Sequence, residues 1–253
     1  MSKLRCALGL FLFSGLISVN VMAQSVTFLL QDSQPKYFLD NPKMLGLCGD
    51  IYQSLQKQLT VRGVKSQIDA HFLPIKRILN KVELEAGRVF CGSGRNAARE
   101  KRFSFAKVPV YRVSNVVVAH AADSVTPASL DDIKKNRDTV GALYGTSSAR
   151  YLKEQLGEAF VNDSFSDLKT PLRLIGTSPS RLRYFYYHDL GLNYLVMKYD
   201  YPLRVVSTKF RTVPQWLIYS DKTSPEIKQA IEDALRDLKT SGELDQIVKQ
   251  YIY

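Results

Sequence analysis

The chain is poor in the residues that metal and redox chemistry usually draw on. It carries three cysteines, three histidines and one tryptophan in 253 residues. The histidines, His71, His120 and His188, stand at no spacing that pairs one with a cysteine, so Cys/His nucleophilic catalysis is not expected. No metal site and no cofactor are expected. The formal charge is +11, yet there is no block of Lys and Arg. Basic residues alternate with acidic ones, which argues for a generally basic protein and against nucleic acid as a partner. Beyond the N-terminus no apolar run is long enough to span a bilayer. Internal repeats and low-complexity tracts are also missing.

What is present begins with a leader. Lys3 and Arg5 precede an apolar core over about residues 7–17, and Val21, Met22 and Ala23 form a cleavage-like end. Residues 1–23 therefore read as a secretory signal peptide, with Gln24 the expected new N-terminus. Cys6 lies before the apolar core and no cysteine stands at the predicted cut, so a lipid anchor is not expected. About 230 residues remain, enough for one large domain or two lobes. Their formal charge is +9 once Lys3 and Arg5 are gone. Two cysteines remain, Cys48 and Cys91. In an oxidising compartment such a pair favours a disulfide over two buried thiols.

The hydrophobic pattern alternates between periods of two and of 3.6. Residues 26–30 read as a strand, followed by a loop over 31–43. Ile51, Leu55 and Leu59 mark a helix, residues 67–72 alternate as a strand, and Pro74 opens a helix with Ile75, Ile78, Leu79 and Val82 on one face. Residues 89–91 return to strand. This β-α-β-α-β order predicts a mostly parallel sheet with covering helices. Strands follow at 116–118 and 139–143, with a helix at 129–135 and another at 150–156. No regular element is assigned between 157 and 202. Two more strands, at 203–207 and 216–219, lead to two C-terminal helices. Ser224 caps the first and Pro225 lies in its first turn.

The stretch Gly92-Ser93-Gly94-Arg95-Asn96-Ala97-Ala98-Arg99 follows the strand at 89–91. A strand, a glycine-rich turn and then arginine can hold a guanidinium at the end of a sheet, where its planar fork of donors matches a carboxylate. The same residues also suit a surface turn with a structural ion pair. A second strand-turn-helix junction, at Gly145-Thr146-Ser147-Ser148, offers free backbone N–H groups that attract an anion.

The order of these motifs resembles extracellular solute-binding proteins of bacterial family 3, the amino-acid-type receptors of ABC importers. The matching pieces are Pro35-Lys36-Tyr37-Phe38, Gly46-Leu47-Cys48-Gly49-Asp50-Ile51, the Gly92–Arg99 segment with Phe105 and Pro109-Val110-Tyr111, Val140-Gly141 with Gly145-Thr146, and Leu238-Lys239-Thr240-Ser241-Gly242-Glu243-Leu244. The resemblance implies an α/β, type II periplasmic-binding-protein-like fold: two lobes joined by two crossover strands around a ligand cleft. Residues 24–112 and 208–253 would form lobe one, and 113–207 lobe two. It implies a periplasmic, monomeric, non-enzymatic receptor that delivers a small carboxylate-bearing solute, an amino acid or relative, to an ABC permease.

Carried over residue by residue, Arg99 matches the arginine that clamps the ligand carboxylate. Gly94 and Asn96 match neighbouring positions that offer backbone groups. Thr146 with Ser147 matches the second-lobe loop that closes on the same carboxylate, and Tyr37 or Phe38 would supply an aromatic wall. One departure stands out. Family members place an acid in lobe two against the ligand ammonium, and here the region reads Tyr186-Tyr187-His188-Asp189-Leu190-Gly191-Leu192-Asn193. Asp189 is the candidate, with Gly191 or Asn193 as alternative occupants of that position. The aromatic run 184–187 can line the cleft or cover a lobe surface, and most of it reads as surface cover. Two other functions share this scaffold: a periplasmic dehydratase of cyclic acids, with Glu100, Asp50 and Asp189 as candidate acids, and a ligand-sensing module for a membrane partner.

Overall fold

The computed structural model of the protein describes residues 25–40 and 43–251, so the signal peptide expected at 1–23 lies outside the described residues. The chain opens with β1 (Val26–Gln31), a hairpin of β2 (Phe38–Asp40) and β3 (Lys43–Leu45), α1 (Leu47–Val61), β4 (Ser66–Leu73), α2 (Ile75–Leu84), β5 (Arg88–Gly94) and α3 (Ala97–Glu100). The 17-residue β6 (Ser104–His120) follows. Next come α4 (Leu130–Lys135), β7 (Val140–Leu143), α5 (Ser147–Leu156), β8 (Val161–Phe165), α6 (Lys169–Gly176), β9 (Tyr184–His188), α7 (Asp189–Lys198) and β10 (Leu203–Val205). The chain ends with β11 (Arg211–Tyr219), α8 (Pro225–Thr240) and α9 (Glu243–Lys249).

Nine of these strands form one sheet in the order β4-β1-β5-β11-β6-β9-β7-β8, with β10 also on β6. β1 runs parallel to β4 and β5, and β7 runs parallel to β8 and β9. Each parallel group is thus a β-α-β unit whose helices cover the sheet, as the alternating periodicity requires. β6 and β11 join the groups as an antiparallel pair. β6 pairs with β11 up to Asn115 and with β9 and β10 from Asn115 to His120, so one strand leaves the first lobe and enters the second.

The apolar interior divides the same way. One cluster joins β1, α1, α2, β5 and the start of β6 to α8 and α9. α1 meets the C-terminal helices through the Arg62–Asp237 ion pair and a hydrogen bond from Ser54 Oγ to Glu243 Oε1 of 2.5 Å. In the second lobe the sheet is covered on both faces. Val116, Val118, Phe185 and Tyr187 face α6 and α7, while Val117, Ala119, Tyr184 and Tyr186 face α4 and α5.

That alternation corrects the surface reading of residues 184–187. All four are at most 3 % exposed. β9 lies between β6 and β7, and a strand buried on both faces reads as an uninterrupted apolar run. The loop expected over 31–43 holds the β2–β3 hairpin. The unassigned stretch after 157 contains β8, α6, β9 and α7. α7 buries Leu190, Leu192 and Leu195 without a clean stripe, so its period is not visible in the sequence.

Candidate functional site

The carboxyl ends of β1 and β5 in one lobe face the start of α5 in the other, and the chain leading into α1 closes the gap from the side. α1 has no side-chain cap. The carbonyls of Pro35 and Lys36 take its first N–H groups instead, from Leu47 at 3.1 Å and Cys48 at 2.9 Å. Gly46 permits this approach: its φ is 103°, and a Cβ there would lie 2.6 Å from the Pro35 oxygen. The Lys36 backbone is thereby fixed at the mouth of β1. Its Nζ donates to Gln31 Oε1 at 3.0 Å.

Arg99 comes from the other side, at the third position of α3. Asn96 caps that short helix, its Oδ1 accepting from the Arg99 N–H at 3.0 Å. Arg99 is 8 % exposed. Its Nη1 donates to Ser93 Oγ at 3.2 Å and to the Gly94 carbonyl at 3.0 Å. Both acceptors are neutral, and no acid pairs with it among the described residues. Burial lowers its pKa to about 10, helped by Arg150 and Arg102, so it stays charged at neutral pH. Burial also lowers the Lys36 pKa to about 7, with Arg99 contributing by repulsion.

Arg99, Lys36, Gln31, Thr146, Ser147, Ser148, Tyr187, His188 and Gln215 line one chamber of about 40 Å³ between the lobes. No Asp or Glu is among its lining residues. It shares lining residues with two larger cavities. Arg99, Thr146 and Ser147 also border a cavity of about 670 Å³, and Gln31 borders one of about 500 Å³ on the other side. Thr146 caps α5, its Oγ1 accepting from Ala149 N at 3.1 Å and donating to the Leu143 carbonyl at 2.8 Å. The N–H groups of Ser147 and Ser148, in the first turn of α5, have no acceptor among the described residues, and the helix dipole adds to their pull on an anion.

His188 ends β9 and caps α7, its Nδ1 accepting from the Gly191 N–H at 2.9 Å. Burial holds its pKa well below 6.5, and Lys36 adds to the effect. The neutral ring therefore carries its proton on Nε2. Nε2 is buried with no partner among the described residues.

The lobes touch around this chamber. Gly94 sits so close to Ser147 that a Cβ would collide with the Ser147 Oγ. Ser33 Oγ and Tyr187 Oη lie 3.2 Å apart. Lys76 Nζ stands 3.7 Å over the Tyr144 ring, and Lys198 Nζ donates to Gln34 Oε1 at 2.5 Å. This is a closed arrangement.

A family description, bacterial extracellular solute-binding proteins, family 3, matches residues 27–253. The chain belongs to that family. No curated protein matches it. Among solved structures it is similar to an ancestral arginine-binding protein bound to glutamine, at 19 % identity and a TM-score of 0.75, over 90 % of this chain and 97 % of that one. It is also similar to the amino acid ABC transporter substrate-binding protein AbpA from Streptococcus pneumoniae bound to L-arginine, at 18 % identity and a TM-score of 0.74, over 90 % and 94 %. A third is the ancestral amino acid-binding protein AncCDT-1, a precursor of cyclohexadienyl dehydratase, at 18 % identity and a TM-score of 0.75, over 91 % and 96 %. The expected type II periplasmic-binding-protein fold is thus the fold of this chain.

Within this family member, Arg99, Gly94, Asn96, Thr146 and Ser147 are brought together, with Asn96 behind the arginine as its backbone support. Tyr37, Phe38 and Asp189 are not. Tyr37 is 1 % exposed inside lobe one. Its Oη donates to the Cys91 carbonyl at 2.6 Å and its ring stacks on Phe90, so it serves the core. Phe38 starts the hairpin opposite Leu45 and does not line the chamber. The aromatic ring that lines it is Tyr187.

Asp189 points elsewhere because it follows His188 at the start of α7. Its Oδ1 accepts from Ser114 N at 3.0 Å and Leu190 N at 2.8 Å. It borders a separate hollow of about 60 Å³ with Tyr111, Arg112 and Asn193. Gly191 packs on His188 and Tyr187, so neither alternative position supplies an acid. Cys48 and Cys91 are bonded, with Cα atoms 5.9 Å apart. Sequence reasoning missed Lys36 and His188. Lys36 lies inside the quoted Pro35–Phe38 segment, where a buried lysine has no periodic signature. His188 follows an apolar strand, where a polar residue marks the strand's exposed end.

Proposed function

We propose that the protein is a periplasmic receptor, exported by its signal peptide, that captures a small carboxylate-bearing solute and delivers it to an ABC permease. Residues 24–112 with 208–253 form one moving body and 113–207 the other, hinged on β6 and β11. One observation supports this above the others: Arg99 is a buried cation whose hydrogen-bond acceptors among the described residues are all neutral, facing the open first turn of α5. A buried unpaired charge costs several kcal/mol, and a carboxylate in the chamber removes that cost. Donors from both lobes converge on it, so the ligand favours closure by its differential contacts.

The dehydratase reading draws no support from its three candidate acids. Glu100 pairs with Arg95 on the surface at 2.5 Å. Asp50 Oδ2 accepts from Tyr251 Oη at 2.5 Å, and Asp189 faces β6. The sensing reading shares the same ligand site and differs in the membrane partner retained, which a ligand-dependent pull-down from membranes separates.

The test is a calorimetric screen of amino and organic acids on the wild type and on Arg99→Ala. Binding in the micromolar range, about −8 kcal/mol, is expected for the wild type and none for the variant. Equal affinity in both removes the clamp from the proposal.

A further inference from the structure

We propose that this chamber is built for a compact organic dianion without an ammonium group, Arg99 and Lys36 each meeting one of its negative charges. The inference rests on the receptor reading above and names its ligand class.

The charge of the chamber carries the argument. Arg99 and Lys36 are 8 % and 5 % exposed and line the same space. Each holds a neutral partner: Ser93 Oγ and the Gly94 carbonyl for one, Gln31 Oε1 for the other. No carboxylate lines the chamber itself; Asp32 and Asp167 on one side and Glu154, Glu158 and Asp163 on the other line only the adjoining cavities. A zwitterionic amino acid is neutral overall. Its one carboxylate would compensate Arg99, leave a protonated Lys36 without a negative partner and bring an ammonium into the same space. A dianion compensates both.

The remaining polar groups point the same way. His188 Nε2 is a buried donor without an acceptor. Its proton is fixed there because Nδ1 accepts from the Gly191 N–H at 2.9 Å. The first N–H groups of α5 are further donors. An ammonium needs acceptors and a negative partner, and would meet N–H groups instead. The acid expected to receive it, Asp189, is bound to the β6 backbone and lines a different hollow.

The experiment is titration calorimetry on the ligand-free protein with malonate, succinate and glutarate. Aspartate and glutamate serve as their amino counterparts, with alanine, propionate and inorganic phosphate as further probes. Wild type, Lys36→Met and Arg99→Ala are compared. One dicarboxylate is expected to bind about tenfold or more tighter than aspartate and glutamate, and Lys36→Met to lose about thirtyfold on it but under about threefold on propionate. If Lys36→Met does not fold, Lys36→Gln replaces it. Amino counterparts that bind as tightly as the dicarboxylates overturn the inference, as does an equal loss on every probe. Tight, Arg99-dependent binding of alanine overturns it while leaving the carboxylate receptor intact. Phosphate binding with no carboxylate binding overturns both the organic dianion and the carboxylate receptor. Failure of every probe overturns both.

Discussion

Lys36 and Arg99 border one interlobe chamber, both more than nine-tenths buried, and neither meets a carboxylate. The repulsion between them is part of why Lys36 holds its proton weakly, after the larger effect of burial. Binding sites are often destabilising in the empty state for this reason.

Replacing the lysine by a residue of similar length should therefore stabilise the empty protein. Lys36→Met is expected to raise unfolding stability by about 2–4 kcal/mol at pH 6. The gain should shrink towards pH 9, where Lys36 is already neutral in the folded state. Urea denaturation at the two pH values checks this, and a destabilised variant at pH 6 counts against the chamber as described.

Ligand affinity should also fall as pH rises. In the empty protein Lys36 titrates at about 7, and a bound anion raises that value. Between the two values binding takes up a proton, so affinity falls as pH rises above 7, by up to about tenfold per unit. His188 stays neutral through this range and Arg99 stays charged until about 10. Calorimetry of a bound dicarboxylate at pH 6, 7 and 8.5 in buffers of different ionisation enthalpy reads the proton uptake directly. Lys36→Met should abolish it.

Closure depends on the missing side chain at residue 94. Gly94 is in a strand whose backbone accepts a branched residue, but a Cβ there collides with Ser147. Gly94→Val should fold normally and bind ligand about ten- to a hundredfold more weakly, because the closed state is lost. Small-angle scattering should show the liganded variant still open. Adding Ser147→Gly should restore part of the affinity.

Asp189 should matter to stability and not to the ligand. Its Oδ1 accepts two backbone N–H groups, one on β6 and one in α7. Asp189→Asn is expected to cost about 1 kcal/mol and to change the dissociation constant by less than about twofold. A tenfold loss of affinity with unchanged stability would place this carboxylate on the ligand.

The Cys48–Cys91 bond joins the helix start that holds Lys36 to the strand that leads to Arg99. Its sequence separation is 43 residues, for which loop-closure entropy gives about 4 kcal/mol. Removing both sulfurs with Cys48→Ala and Cys91→Ala should lower unfolding stability by an amount of that order, read from urea midpoints.

Local pattern made much of the fold legible. The helical stripes of α1, α2 and α8 and the alternation of β4 are visible because each element is covered on one side and wet on the other. Where both sides are covered the period vanishes, which is why β9 looked like surface and α7 went unassigned. The arginine of the clamp was legible because a strand, a glycine-rich turn and a short helix are local features. Lys36 was not, because its place depends on its own carbonyl capping a helix eleven residues later.

The sequence by itself determined the alternating α/β architecture, the family and the Arg99 segment, since these rest on periodicity and on motifs only a few residues long. Which charges meet was decided by tertiary structure alone. Asp189 and His188 are neighbours in the chain, yet the turn from β9 into α7 sends the carboxylate to the β6 backbone and leaves the imidazole N–H in the cleft. A one-residue change of direction at a strand end carries no signature in composition or period, and it decides whether the chamber holds an acid.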